Sequence, residues 1–248
     1  MAADRDHLRR VVATAEEHEA RLLAALATLE TRMVQLLRDA PLRDGALFDL
    51  EWAITARQSI REIITREYSG IIDELVDDYE EIAREAATML GNYSDFIRLD
   101  PNVVRQLQQL SFDGYNTLGE EFLEAVSRQI YDATLTGQTF ADSVRIVAQS
   151  VDQDLARYAR QAVFDGLMDF DAVLNTRMGL AAGAERFVYI GPDDSKTREH
   201  CDKYVGRTLT IDEINEAWSG SWAGKREGSP FVVRGGYNCR HRFRPVFN

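Results

Sequence analysis

Apolar residues recur at Leu8, Val12, Ala15, Leu22, Leu26, Leu29, Met33 and Leu36, in alternating steps of four and three, with Glu19 the one polar member of the series. That spacing keeps a stripe on one helix face packed along a second helix, and it predicts a long first helix stopped by Asp39-Ala40-Pro41. Leu42 to Leu50, with Gly45 inside it, predicts a loop or a short helical turn. A second stripe, Ile60, Ile64, Ile71, Leu75, Tyr79, Ile82, Ala86 and Met89, predicts a long helix from about Asp49 to Leu90, weakened at Gly70 and capped at Gly91-Asn92. Its opposite face carries Asp73, Glu74, Asp77, Asp78 and Glu81, which read first as a solvated face and second as a docking surface for a basic partner. The two helices are expected to form an antiparallel hairpin.

Asp100-Pro101 is a helix start, with an N-cap followed by proline in the first turn. It predicts a short helix ending near Ser111, then a separate one over Asn116 to Leu135. After the Thr136-Gly137 turn, Thr139 and Asp142 form a capping-box pattern for a helix to Gln149, and Asp152 could cap another running to about Ala182. From Gly183 the periodicity changes. Arg186–Ile190, Gly206–Thr210, Phe231–Val233 and Arg242–Phe247 predict short strands, and Ile211–Trp218 a small helix. Asp193-Asp194-Ser195 closes a turn or caps a short helix through Lys203, and Ser219–Ser229 reads as a mobile loop with Trp218 and Trp222 at its base. The expected fold is mainly α: a long helical hairpin over 1–110, a helical body over 111–186 and a small C-terminal α+β module over 187–248.

Charge sharpens this division. Of 29 Lys/Arg and 41 Asp/Glu, residues 187–248 hold ten and eight, so the module is +2 and the rest −14. Such an acidic body will not wrap nucleic acid by neutralising phosphates. Arg234, Arg240, Arg242 and Arg244 stand in a final stretch with no acid, and they are the candidate contacts for DNA or an acidic partner. The equal alternative is that they pair with the acidic body. No apolar run is long enough to span a membrane, and the start, MAADRDHLRR, lacks the apolar segment of a signal peptide, so a soluble, cytoplasmically made protein is expected.

Both cysteines, Cys201 and Cys239, lie in the module with His200 and His241. Cys239 and His241 share a face if their segment is extended. With Cys201 they suit a structural zinc, with His200, Asp193 or Asp202 as a fourth ligand. There is no CxxC pair, and a Cys201–Cys239 disulfide or two reduced packed thiols stand as alternatives. Asp193, His200 and His241 could instead form a metal-dependent hydrolase or nuclease centre, and Cys201 with His200 a thiol nucleophile and base. No GxSxG, HExxH or phosphate loop accompanies them, and side chains adjacent in sequence diverge, so stapling of the fold is preferred over catalysis. His7 and His18, on the first helix, are expected at the surface.

Asp193 or Asp194, Thr197-Arg198-x-x-Cys201, Gly206, a variable insert and then Gly236-Tyr237-Asn238-Cys239-Arg240-x-Arg242 form an ordered pattern. It resembles the C-terminal domain of phage head-morphogenesis proteins, the Mu F-like minor capsid family. With Ala159-Arg160 and Asn175 on the preceding helix, the resemblance covers about residues 115–248. His241 stands where that family often has a second cysteine, an exchange that keeps a zinc ligand and removes a thiol. The resemblance implies a minor structural protein of the virion, assembled in the host cytoplasm and capable of homo-oligomerising. Its implied partners are the portal and major capsid proteins, sometimes with a role in DNA packaging or entry.

Overall fold

Helix α1 runs Ala2–Arg38 in the computed structural model, which describes residues 2–47, 49–91 and 101–247. Its buried positions include Asp4, His7, Val11, Ala15, His18, Leu22, Leu26, Leu29, Met33 and Leu37. Along the whole helix they follow an eleven-residue repeat, as in 4, 15, 26 and 37, better than a seven-residue one. Val12 and Leu36 of the expected seam are only half-buried, with Val11 and Leu37 in their places. Eleven residues over three turns stay close to the pitch of a straight helix, so the stripe hardly drifts, whereas a seven-residue seam requires left-handed supercoiling. The same repeat carries His7 and His18 inward, each 1% exposed, against the expectation that both lie on the surface.

Strands β1 (Leu42–Arg43) and β2 (Ala46–Leu47) form a hairpin where a loop was expected. Asp44 and Gly45 both take positive φ, 52° and 79°, as a two-residue turn matched to strand twist requires. Asp49 caps α2, Leu50–Ile64, by accepting from the Trp52 amide. The second long helix continues through a π turn, Thr65–Ser69, into α3, Gly70–Asp77, and α4, Tyr79–Gly91. The π turn buries Tyr68, whose hydroxyl donates to the Tyr115 carbonyl at 2.9 Å. Asp73, Glu74, Asp77 and Glu81 are exposed, as expected of a solvated face. The caps expected at Asn92 and Asp100 lie outside the described residues.

Helix α5, Pro101–Thr136, is continuous where two helices were expected. Its glycines carry only a propensity cost of about 1 kcal/mol each, and buried Tyr115, Phe122 and Val126 outweigh it. Thr139 caps α6, Phe140–Gln149, as expected. A second π turn, Ser150–Ala156, leads into α7, Arg157–Ala181, with no fresh start at Asp152. The tail then forms β3 (Arg186–Ile190), α8 (Glu199–Tyr204), β4 (Thr208–Thr210), α9 (Ile211–Ala217), α10 (Pro230–Val233) and β5 (Arg242–Val246). The antiparallel sheet has the order β4-β3-β5. Phe231–Val233, expected as a strand, is helical because Ser229-Pro230 starts a turn in which proline occupies the first position.

The fold is therefore mainly α with a small sheet module near its C-terminus. Its residues fall into two compact units, Met1–Glu17 with Asp77–Leu110 and Val163–Asn248, and His18–Val76 with Ser111–Ala162. One of these breaks falls between Leu110 and Ser111, where a boundary was expected, and none falls at 186. β3 supplies the reason, since its alternate residues serve two cores of the first unit. Val188 and Ile190 join Leu8, Tyr79, Phe164 and Leu167, whereas Phe187 and Tyr189 join Cys201, Ile214, Trp218, Cys239 and Phe243. Among the described residues, no helix is long and apolar enough to cross a membrane.

Candidate metal centre

Cys201, Cys239 and His241 reach one another from two separate segments. Cys201 sits on α8, which starts after Arg198. Cys239 follows a tight loop in which Arg234, Gly236 and Asn238 all take positive φ. His241 stands just before β5, whose register sets Arg242 opposite Ile190 and so brings His241 beside Gly191. A Cβ on Gly191 would lie 2.1 Å from the His241 ring, so no side chain fits there. A Cβ on Gly235 would lie 2.2 Å from Cys201 Sγ and 2.9 Å from Cys239 Sγ. Bare backbone therefore closes that side of the sulfurs, and the Gly235 amide donates to Cys239 Sγ at 3.2 Å. The indole N–H groups of Trp218 and Trp222 hold the loop from outside, donating to the carbonyls of Arg234 and Gly235.

The two sulfurs are 3.9 Å apart, and Cys239 Sγ is 3.7 Å from His241 Nδ1. All three ligand atoms lie within 4.8 Å of one another, and all three residues are buried. A sulfur–sulfur separation of 3.9 Å is close but not bonded. Metal–ligand bonds of roughly 2.0–2.3 Å place tetrahedral neighbours about 3.5–3.8 Å apart, and the 3.9 and 3.7 Å separations on either side of Cys239 lie close to that spacing. It is thus a set of groups that could hold a metal ion.

The electrostatics agree. Burial raises the Cys239 thiol, but its hydrogen bonds with Cys201 and His241 and the charge of Arg234 outweigh burial and pull it well below the ordinary thiol value. Cys201 is pushed up, first by its hydrogen bond with Cys239, then by burial and the Cys239 charge. His241 Nε2 lies 2.8 Å from the Pro192 carbonyl, which can only accept, so Nε2 carries a proton. Once Nδ1 gives up any proton it shares with Cys239 Sγ, its lone pair can serve a cation, the arrangement that orients a histidine ligand.

His200 is not brought to this cluster. Successive residues on α8 point about 100° apart, and the His200 ring stacks on Trp222 at 3.7 Å with Trp218 edge-on at 4.6 Å. Burial, then the charge of Lys203, lowers its pKa to about 4. Asp193 and Asp202 are exposed and also lie outside the cluster. Tyr189 was missed by sequence reasoning. It lies fully buried on β3 with its hydroxyl 3.5 Å from each sulfur, and alternation along Arg186–Ile190 was the only signal for it.

The four arginines proposed as external contacts are all engaged inside the first unit. Arg234 and Arg242 are 0% exposed. Arg234 pairs with Asp169 at 2.5 Å, and Arg242 with Asp171 at 2.7 Å. Arg244 reaches Asp4 at 3.3 Å, and Arg240 holds Asp194 at 2.5 Å. Pairing with acids, the alternative expected for these arginines, is the arrangement found. The two halves of the sequence pattern are tied three times: Cys201 to Cys239, Asp194 to Arg240, and Arg198 to the Tyr237 carbonyl. Thr197 also donates to the Pro192 carbonyl that accepts from His241. No family model, curated protein or solved structure matches the chain.

Proposed function

We propose that the protein is a minor structural component of a tailed-phage head, acting with the portal and major capsid proteins. A zinc ion on Cys201, Cys239 and His241 would lock its C-terminal module. The observation that carries this reading is the three-fold tie between the Asp194–Cys201 and Gly236–Arg242 segments. It supports the view that the shared sequence pattern serves cohesion of a module, as the resemblance to the Mu F-like family implies. Zinc is favoured by the donor set of two sulfurs and an imidazole. A structural role fits a centre whose three residues are at most 2% exposed, because a catalytic zinc keeps one position open to substrate.

The assembly reading is tested by purifying procapsids from infected cells. The chain is expected in the particle fraction in few copies. Its presence only as free protein, with particles lacking it, would overturn the reading. Elemental analysis of the purified protein is expected to give about one zinc per chain, with both thiols recovered after chelation. A chelator-sensitive hydrolase activity on nucleic acid or peptide would favour the alternative enzyme reading.

A further inference from the structure

Two cysteines and one histidine leave a tetrahedral ion one ligand short, and the cluster is walled off from water by Gly235 on one side. Tyr189 is a further polar group that reaches both sulfurs. Its hydroxyl is equidistant, 3.5 Å, from Cys201 Sγ and Cys239 Sγ. A metal bound by sulfur at about 2.3 Å and oxygen at about 2.0 Å places those two atoms roughly 3.5 Å apart. The ring is fixed from several directions. It lies nearly parallel to the His241 ring (12°, centroids 5.4 Å apart), while Trp218 and Phe243 pack on it at 5.2 and 4.8 Å. Tyr189 and His241 thus present an oxygen and a nitrogen side by side toward the sulfurs.

We propose that Tyr189 Oη is the fourth ligand of this centre, completing a closed site of two sulfurs, one nitrogen and one oxygen. The inference rests on the zinc reading above. On loading, the ion bonds to the phenolate oxygen, and the phenolic proton leaves to solvent with those the thiols still carry. A closed set of this kind holds its metal for structure and has no position for substrate.

The test adds zinc to the metal-free full-length protein, with both thiols reduced, while the ultraviolet difference spectrum is recorded. One equivalent of zinc is expected to generate the absorbance of one ionised tyrosine out of the nine in the chain. Tyr189→Phe keeps the ring and removes the oxygen. It is expected to abolish that signal and weaken zinc binding by roughly 10–100-fold in competition with a chromophoric chelator. Zinc bound one per chain with no tyrosinate signal in the wild type would overturn the ligand assignment and leave the zinc reading standing. No zinc bound by wild type with two free thiols would overturn both. The wild-type spectrum decides the matter even if the variant does not fold.

Discussion

Asp171 shows what holds a charge in this core. The residue is 0% exposed, yet it accepts from Arg242 at 2.7 Å, from His7 at 2.9 Å and from the Asn175 amide at 2.9 Å. Burial pushes its carboxyl up, but the charge of Arg242 and the His7 hydrogen bond prevail and hold it at about 2. That value lies below the roughly 3.9 of an unfolded aspartate. The group therefore stabilises the fold above about pH 4, and this contribution fades as pH falls toward 2. Asp171→Asn leaves Arg242 buried without a counter-charge and is expected to cost about 3–5 kcal/mol in urea unfolding at neutral pH. The variant should also lose the steep part of the wild-type stability change between pH 4 and 2. Arg242 was legible in the sequence as a cation near a cysteine. Its partner, 71 residues earlier, was not, because nothing local links the two.

The helices show where local pattern suffices and where it falls short. Asp49 and Thr139 cap α2 and α6 through their own side chains, a contact made within three residues and therefore readable. The π turns at Thr65–Ser69 and Ser150–Ala156 and the continuity of α5 depend on what packs against them. Tyr68, for example, needs the closeness of Gly119, where a Cβ would stand 3.0 Å from its ring. Two glycines give opposite expectations. Gly45 has φ 79°, so Gly45→Ala forces a side chain into the left-handed region and should destabilise by about 1–2 kcal/mol. Gly70 is helical, with φ −61°, and a Cβ there meets nothing within 4 Å. Gly70→Ala should therefore stabilise by about 0.5–1 kcal/mol. Chemical denaturation of the two variants beside the wild type checks both signs.

Taken over its full length, the chain keeps most of its negative charge outside the tail, and four tail arginines are neutralised inside the first unit. Weak, non-specific attraction to duplex DNA is the expected outcome, with retardation assays at physiological salt showing no complex at micromolar protein. If zinc holds the tail, binding to the folded form alone raises stability by about 2.7 kcal/mol when free metal is a hundredfold above its dissociation constant. Calorimetry with zinc and with a chelator should then show a higher unfolding temperature in zinc. Equal temperatures in the two conditions would count against a structural metal.

The periodicities alone were enough to say that the chain is mainly helical, that its last quarter turns to short strands, and that its cysteines and two histidines belong to that part. Those properties are local, since a face repeats within one helix turn or one strand pair. Which of those side chains meet was decided by pairing at a distance. β3 lies between β4 and β5, and that register sets His241 against Gly191 and Tyr189 over the sulfurs of residues 38 positions apart. The same packing turned His200 away to Trp222 and drew the arginines inward to acids up to 240 residues distant. A hydrophobic pattern specifies a face, and only the completed core specifies which neighbour that face receives.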